Sequence, residues 1–111
     1  MNFFRNKKNK FKKGDIYAVH KGTYIGHLLV FIEQNTETDT FNFLSTNNLE
    51  NFYIPSKDVK EGVENNLLRK TNAVLSGKIL EICLKQYKFN IDHPKNTNII
   101  KEDENTDFGL Q

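Results

Sequence analysis

Residues 11–33 read FKKGDIYAVHKGTYIGHLLVFIE. The stretch holds two apolar runs separated by a glycine-bearing segment and preceded by lysines. In residues 15–20, Ile16 and Ala18 alternate with Tyr17 and Val19, so both faces are apolar. Residues 24–33 place Tyr24, Leu28, Val30 and Ile32 on one face and Ile25, Leu29 and Phe31 on the other. β-branched and aromatic residues dominate, which favours strand over helix. Gly26 falls inside the second run and predicts a bulge or sharp bend there.

Outward from this hairpin the pattern continues. Residues 34–39 form a polar turn. Residues 40–45 are a third strand, with Phe41 and Phe43 on one face and Asn42 on the other. Residues 51–54 are a fourth strand, ending at Pro55. PSKDV, residues 55–59, reads as a single tight helical turn that the Ser56 hydroxyl can cap. Residues 63–70 read as a last strand pair around a turn at 64–66. Residues 76–90 carry apolar side chains at spacings of three and four, with Ile79, Ile82, Cys83 and Tyr87 on one stripe. That is an amphipathic helix, with Ser76 as its cap. The expected fold is therefore mostly β with one C-terminal helix. The β part, residues 14–75, is a small barrel or β-roll, and the helix at 76–90 packs on it.

Charge is uneven along the chain. Residues 1–13 hold six positive charges and no acid, and residues 92–111 carry a net charge of −3. The expectation is a nearly neutral body between a basic flexible arm (1–13) and an acidic flexible tail (91–111). No run of about 18 apolar residues exists to span a membrane. The basic start lacks the apolar run of a secretory signal. Cys83 is the single cysteine, which fits a reducing, cytoplasmic compartment. Asn occurs fifteen times and Lys fourteen, against two Arg, the residue usage of AT-rich codons. This composition resembles that of small proteins of large tailed bacteriophages, and also of AT-rich bacteria; a phage source implies the host cytoplasm as location.

Two segments resemble the SH3-like small β-barrel. KGDIYAVHKGTYIG, residues 13–26, resembles the KOW motif, a strand followed by a glycine turn and a second strand. YIPSKDVKE, residues 53–61, is similar to the SH3 segment in which a tight helical turn links the last strands. Asp58 stands where that family has a ligand-contacting tyrosine, so the resemblance does not carry over a groove for proline-rich peptides. The KOW resemblance implies contact with RNA or with the transcription and translation machinery.

The residues lead us to expect no enzyme, with no catalytic or metal-binding residue and no cofactor or small-molecule substrate. His20 and His27, paired across a short hairpin, would lie ~13 Å apart at the usual rise per residue, too far to share a metal. His93 lies in the polar C-terminal stretch. Cys83 sits on the apolar stripe of the helix, where a thiol is inert. Lys21 to Gly26, KGTYIG, has no Gly-Lys-Ser/Thr ending and precedes a strand, so it is no phosphate loop. Glu102, Asp103 and Glu104 are consecutive, unlike the alternating carboxylates of a calcium loop.

Binding remains. The first expectation is a module that recognises a protein through exposed aromatics, with Tyr17, Tyr24, Phe52 and Tyr53 as candidate contacts, in a phage setting a modulator of a host protein. The alternative is a nucleic-acid-binding protein using Arg5, Lys7, Lys8, Lys10, Lys12 and Lys13 of the arm and the KOW-like barrel. If all six contacted duplex phosphate, the log-affinity slope against log salt would be about −5. A second alternative is a phage structural or assembly accessory protein.

Overall fold

The computed structural model describes residues 11–100. Strands β1 (Asp15–Val19), β2 (Leu28–Asn35), β3 (Thr40–Ser45) and β4 (Asn51–Pro55) follow one another in chain order. Helix α1 (Ser56–Glu64) leads to β5 (Leu68–Val74), then α2 (Gly77–Ile91), a 3-10 turn (Pro94–Asn96) and β6 (Thr97–Ile99). The strands form one sheet in the order β5-β1-β2-β3-β4-β6. All neighbours are antiparallel except β4 and β6, which are parallel.

The molecule is thus mostly β-sheet with two helices, and the sheet is open. Of the small barrel or β-roll expected from the sequence, that corrects the closed barrel. Leu68 from one edge and Ile100 just beyond the other join the same core as Tyr17, Phe31, Phe43 and Phe52, so the sheet bends around that core. Its hydrogen-bonded ladder still ends at β5 and β6. Val59 of α1 packs into the same core, and Phe11 stacks on Tyr17 with ring centroids 4.7 Å apart.

The sheet has two apolar faces because it is covered twice. Ile16, Val30, Ile32 and Leu44 point away from the first core and meet Tyr87, Cys83 and Leu84 of α2. A strand covered on both sides reads as a continuous apolar run, which is what LLVFI in β2 is. Burying one such side chain contributes about 1.5–3 kcal/mol, so α2 is a structural layer of the domain.

Several boundaries differ from the sequence reading, each for a local reason. Strand β2 starts at Leu28, because residues 21–26 form a turn in which Gly26 has φ +92° and its N–H donates to Val19 O. Gly26 therefore bends a loop and lies outside the strand. The single helical turn is a nine-residue helix. Ser56 does not cap it; its N–H and hydroxyl both donate to Asp39 O. Val63 belongs to that helix, so the strand pair expected at 63–70 is replaced by the one strand β5. In α2 the buried stripe runs through Cys83, Leu84, Tyr87 and Asn90, while Ile79 (59%) and Ile82 (65%) are exposed.

The helix is also not the last element. Residues 91–100, expected as the start of a flexible tail, return along β4. The Ile100 N–H donates to Tyr53 O and the Ile100 side chain is buried, which supplies the apolar burial a polar tail lacks. The rest of the acidic tail, residues 101–111, and residues 1–10 of the arm lie outside the described residues.

Gly14 is where β1 turns past the start of α2. Its φ is +100°, and a Cβ built there would clash with Leu75 O. The Leu75 N–H donates to Gly14 O at 2.8 Å, and the Gly14 N–H donates to Phe31 O at 2.9 Å. Gly14→Ala is expected to destabilise by at least about 1–3 kcal/mol, the usual cost of such a backbone. A denaturant midpoint unchanged from wild type would contradict this packing.

Candidate binding site

The site begins with a register shift in β2. Phe31 opposes Phe43 and Glu33 opposes Asn42, so Ile32 is an extra residue in the strand. Strict alternation would send Glu33 to the face of Phe31. The shift instead places Glu33 beside Asn42, under α2. Bulges re-aim side chains in this way.

A directed chain of hydrogen bonds results. Thr40 Oγ1 donates to Asn42 Oδ1 at 2.8 Å, and Asn42 Nδ2 donates to the Tyr87 hydroxyl oxygen at 2.9 Å. The Tyr87 hydroxyl donates to Glu33 Oε2 at 2.7 Å. Thr40 has already given its one proton, so Thr38 is the donor in the 2.9 Å bond between the two hydroxyls. The last link ends on a carboxylate, which strengthens it. Burial raises the Tyr87 pKa well above the usual tyrosine range; the bond to Glu33 adds to this and the Asn42 donation opposes it. The phenol therefore stays protonated and keeps donating.

These residues form one wall of a pocket of about 270 Å³. Its other walls are Tyr53 of β4, Ile91 at the end of α2 and Ile99 of β6. The Tyr53 and Tyr87 rings meet edge-on, with centroids 6.4 Å apart. Ile91 and Ile99 are 51% and 65% exposed, so apolar surface borders the fixed polar groups. The end of α2 is held by Asn90. Its amide donates to Leu49 O and Asn51 Oδ1 and accepts from Gln86 and Asn96. That uses the full hydrogen-bonding capacity of the group.

Of the four aromatics expected as contacts, one lines this pocket: Tyr53, half-buried. Tyr17 is 4% exposed and Phe52 1%. Both are core, because α2 and the bend of the sheet leave no open face for them. Burial, with the Asp15 charge adding, pushes the Tyr17 pKa up to about 12. Tyr24 is half-buried, its ring edge-on to Phe52 at 4.7 Å. Among the arm residues, Lys12 and Lys13 share a separate surface depression with Asp15, Lys70 and Val74. Arg5, Lys7, Lys8 and Lys10 lie outside the described residues.

The other reactive residue types hold structural contacts. His27 Nδ1 and Ser45 Oγ are hydrogen-bonded at 2.9 Å. His93 stacks on Phe89 with centroids 3.9 Å apart, and its Nδ1 donates to Phe89 O. Burial raises the Cys83 thiol pKa. Among the described residues no three His, Cys, Asp or Glu side chains converge as a metal site, and no helix is long and apolar enough to cross a membrane.

Glu33, Thr40 and Tyr87 were not among the residues expected at a site. Tyr87 and Asn42 were assigned to the correct elements, but only the register shift and the packing of α2 bring them to Glu33. Comparison of the chain with family models, with curated proteins and with solved structures finds no match.

Proposed function

We propose that this chain is a non-enzymatic binding module that recognises a protein partner at the pocket between β2, β3, β6 and the end of α2. One observation carries the reading. A pre-formed chain of hydrogen bonds from Thr40 to Glu33 stands beside exposed Ile91 and Ile99. Fixed polar groups bordered by apolar surface give orientation and burial together, the two components of a recognition site. His27, Ser45 and Cys83 are engaged in the fold, which supports binding rather than catalysis. Helix α1 lies between β4 and β5, where the SH3-like resemblance has a helical turn, and this supports kinship with small β binding modules. The Asn- and Lys-rich composition supports a phage source with a host protein as partner.

The test is a photocrosslinker placed at Ile99 and, separately, at Ile25 in the β1–β2 turn, each exposed to extract of the source cells. The expected result is a discrete protein adduct at Ile99 alone. Excess unlabelled wild type competes it away, and an excess of Ile91→Arg does not. Equal labelling from both positions, or equal competition by both proteins, overturns the assignment of the site.

A second reading has one observation behind it. Lys12, Lys13 and Lys70 surround one depression next to the β5 edge, a place where a nucleic-acid phosphate would be neutralised. On this reading, binding to generic RNA or DNA weakens steeply with salt and disappears when residues 1–13 are removed.

A further inference from the structure

We infer that the pocket takes a primary ammonium or guanidinium carried on an aliphatic stem, the group a lysine or arginine side chain of the partner would present. The inference rests on the protein-binding reading above and names what the site accepts.

The charge of the site points to a cation. Among the described residues Glu33 is the one carboxylate lining the pocket, and none of the lining residues is cationic. Among the described residues, its Oε2 accepts a neutral phenol and its Oε1 accepts no hydrogen bond. The carboxylate is oriented by Tyr87 but not neutralised by any of them.

The hydrogen-bonding sense of the wall points the same way. The hydroxyl protons of Thr38, Thr40 and Tyr87 are all given to partners within the chain. Asn35 Oδ1 is already occupied by the N–H groups of Glu37 and Thr38. Apart from the amide N–H groups of Asn35 and Asn42, what the Thr40–Glu33 side offers a ligand is oxygen lone pairs and negative charge. A cationic donor fits such a wall; a phosphate or carboxylate would meet the like charge of Glu33.

The remaining walls suit the stem. Ile91 and Ile99 are exposed, and the Tyr53 ring stands beside them. A methylene chain covers such surface while its charged end reaches the polar side. An aromatic ring at the same place adds attraction for a cation. The volume, about 270 Å³, lies just under the usual range of about 300–1,000 Å³ for ligand pockets. That is room for a side chain and not for a large cofactor. The single carboxylate also argues against a metal ion, which would call for several oxygen ligands.

The test is an NMR titration of the full chain with n-butylammonium and n-butylguanidinium, against n-butanol and butyrate. The side-chain amide signals of Asn35 and Asn42 and the backbone signals of Ile91 and Ile99 report on the pocket. The expected result is that both cations shift these signals and bind roughly two- to fivefold more tightly than butanol, the gain an exposed ion pair supplies. Butyrate binds more weakly than butanol. The preference shrinks as salt is raised in the wild type, which needs no variant. Glu33→Gln keeps an oxygen to accept the Tyr87 hydroxyl and loses the preference. Equal binding of cation and alcohol, or shifts confined to residues away from the pocket, overturns the inference. Its failure is separable from that of the partner reading. Crosslinking at Ile99 without a cation preference sinks the cation alone. A cation preference without crosslinking sinks the protein partner and leaves the pocket chemistry standing.

Discussion

Phe43→Ala is expected to lower the unfolding free energy by about 3–5 kcal/mol, the cost of emptying a fully packed phenylalanine site. Phe43 lies in the middle of β3, opposite Phe31 on one side and Phe52 on the other. Its ring sits 5.6 Å from that of Phe31 and 6.1 Å from that of Tyr17. None of its surface reaches solvent. Strand ladders hold its neighbours on both sides, so the cavity collapses poorly. Domains of this kind are stable by only about 5–15 kcal/mol, and the variant loses a large share of that. Ile82→Ala, on the solvent side of α2, is the control and is expected to change stability by less than about 0.5 kcal/mol. Chemical denaturation of the three proteins checks both numbers. A Phe43 variant as stable as wild type would mean that the ring is not in the core.

Asn90→Leu is expected to cost roughly 2–4 kcal/mol. Leucine keeps the branched heavy-atom shape with bulkier ends, and the cost counted is polar. Leu49 O and Asn51 Oδ1 each lose a donor, and an unsatisfied buried group costs about 1–3 kcal/mol. Asn51 is fully buried and cannot turn to water, although it still donates to Tyr87 O at 3.1 Å. Gln86 and Asn96 lose an acceptor at the same time. Because Asn96 leads into β6, the loss extends beyond stability. The Ile100 N–H, bonded to Tyr53 O, is expected to exchange with solvent faster in the variant, while amides in the β2–β3 ladder keep their relative protection. Unchanged exchange at Ile100 would show that Asn90 does not hold the chain's return to the sheet.

The central sheet was legible because its signals are local. Alternation in DIYAV and TFNFL, and the polar turns between strands, locate β1, β3 and β4 without any knowledge of the fold. The amphipathic helix was legible from its spacing, though not its buried side. Ile79 and Ile82 are stronger apolar residues than Cys83 and Asn90, and sequence favours them. The sheet selects the other stripe because Tyr87 and Asn90 meet hydrogen-bond partners there. Apolar residues on both faces of β1 and β2 were read as rings left outside a barrel. One face, with Ile16, Val30 and Ile32, is the surface on which α2 lies, and the rings of Tyr17 and Phe31 are in the core on the other.

What was not legible depends on contacts distant in sequence. Helix α1 has only two apolar side chains, Val59 and Val63, so its length leaves no periodic trace. Strand β6 is three residues long and polar at Thr97 and Asn98; its pairing exists because α2 returns the chain beside β4. The abundant asparagines were read as codon usage. At least three of them, Asn42, Asn51 and Asn90, are buried and tie α2 to the sheet. Glu33 at the pocket was invisible because a one-residue shift in β2 reverses its face, and nothing in LLVFIEQN marks where that shift falls.

The placement of α2 over the sheet and of β6 beside β4 underlies the pocket and everything proposed for it, and a nuclear Overhauser experiment on the labelled protein tests it most directly. The predicted result is cross-peaks between the Asn42 side-chain amide and the Tyr87 ring, together with cross-peaks between the Ile100 amide and β4. Their absence, with residues 92–100 showing the chemical shifts of an unstructured chain, would contradict it.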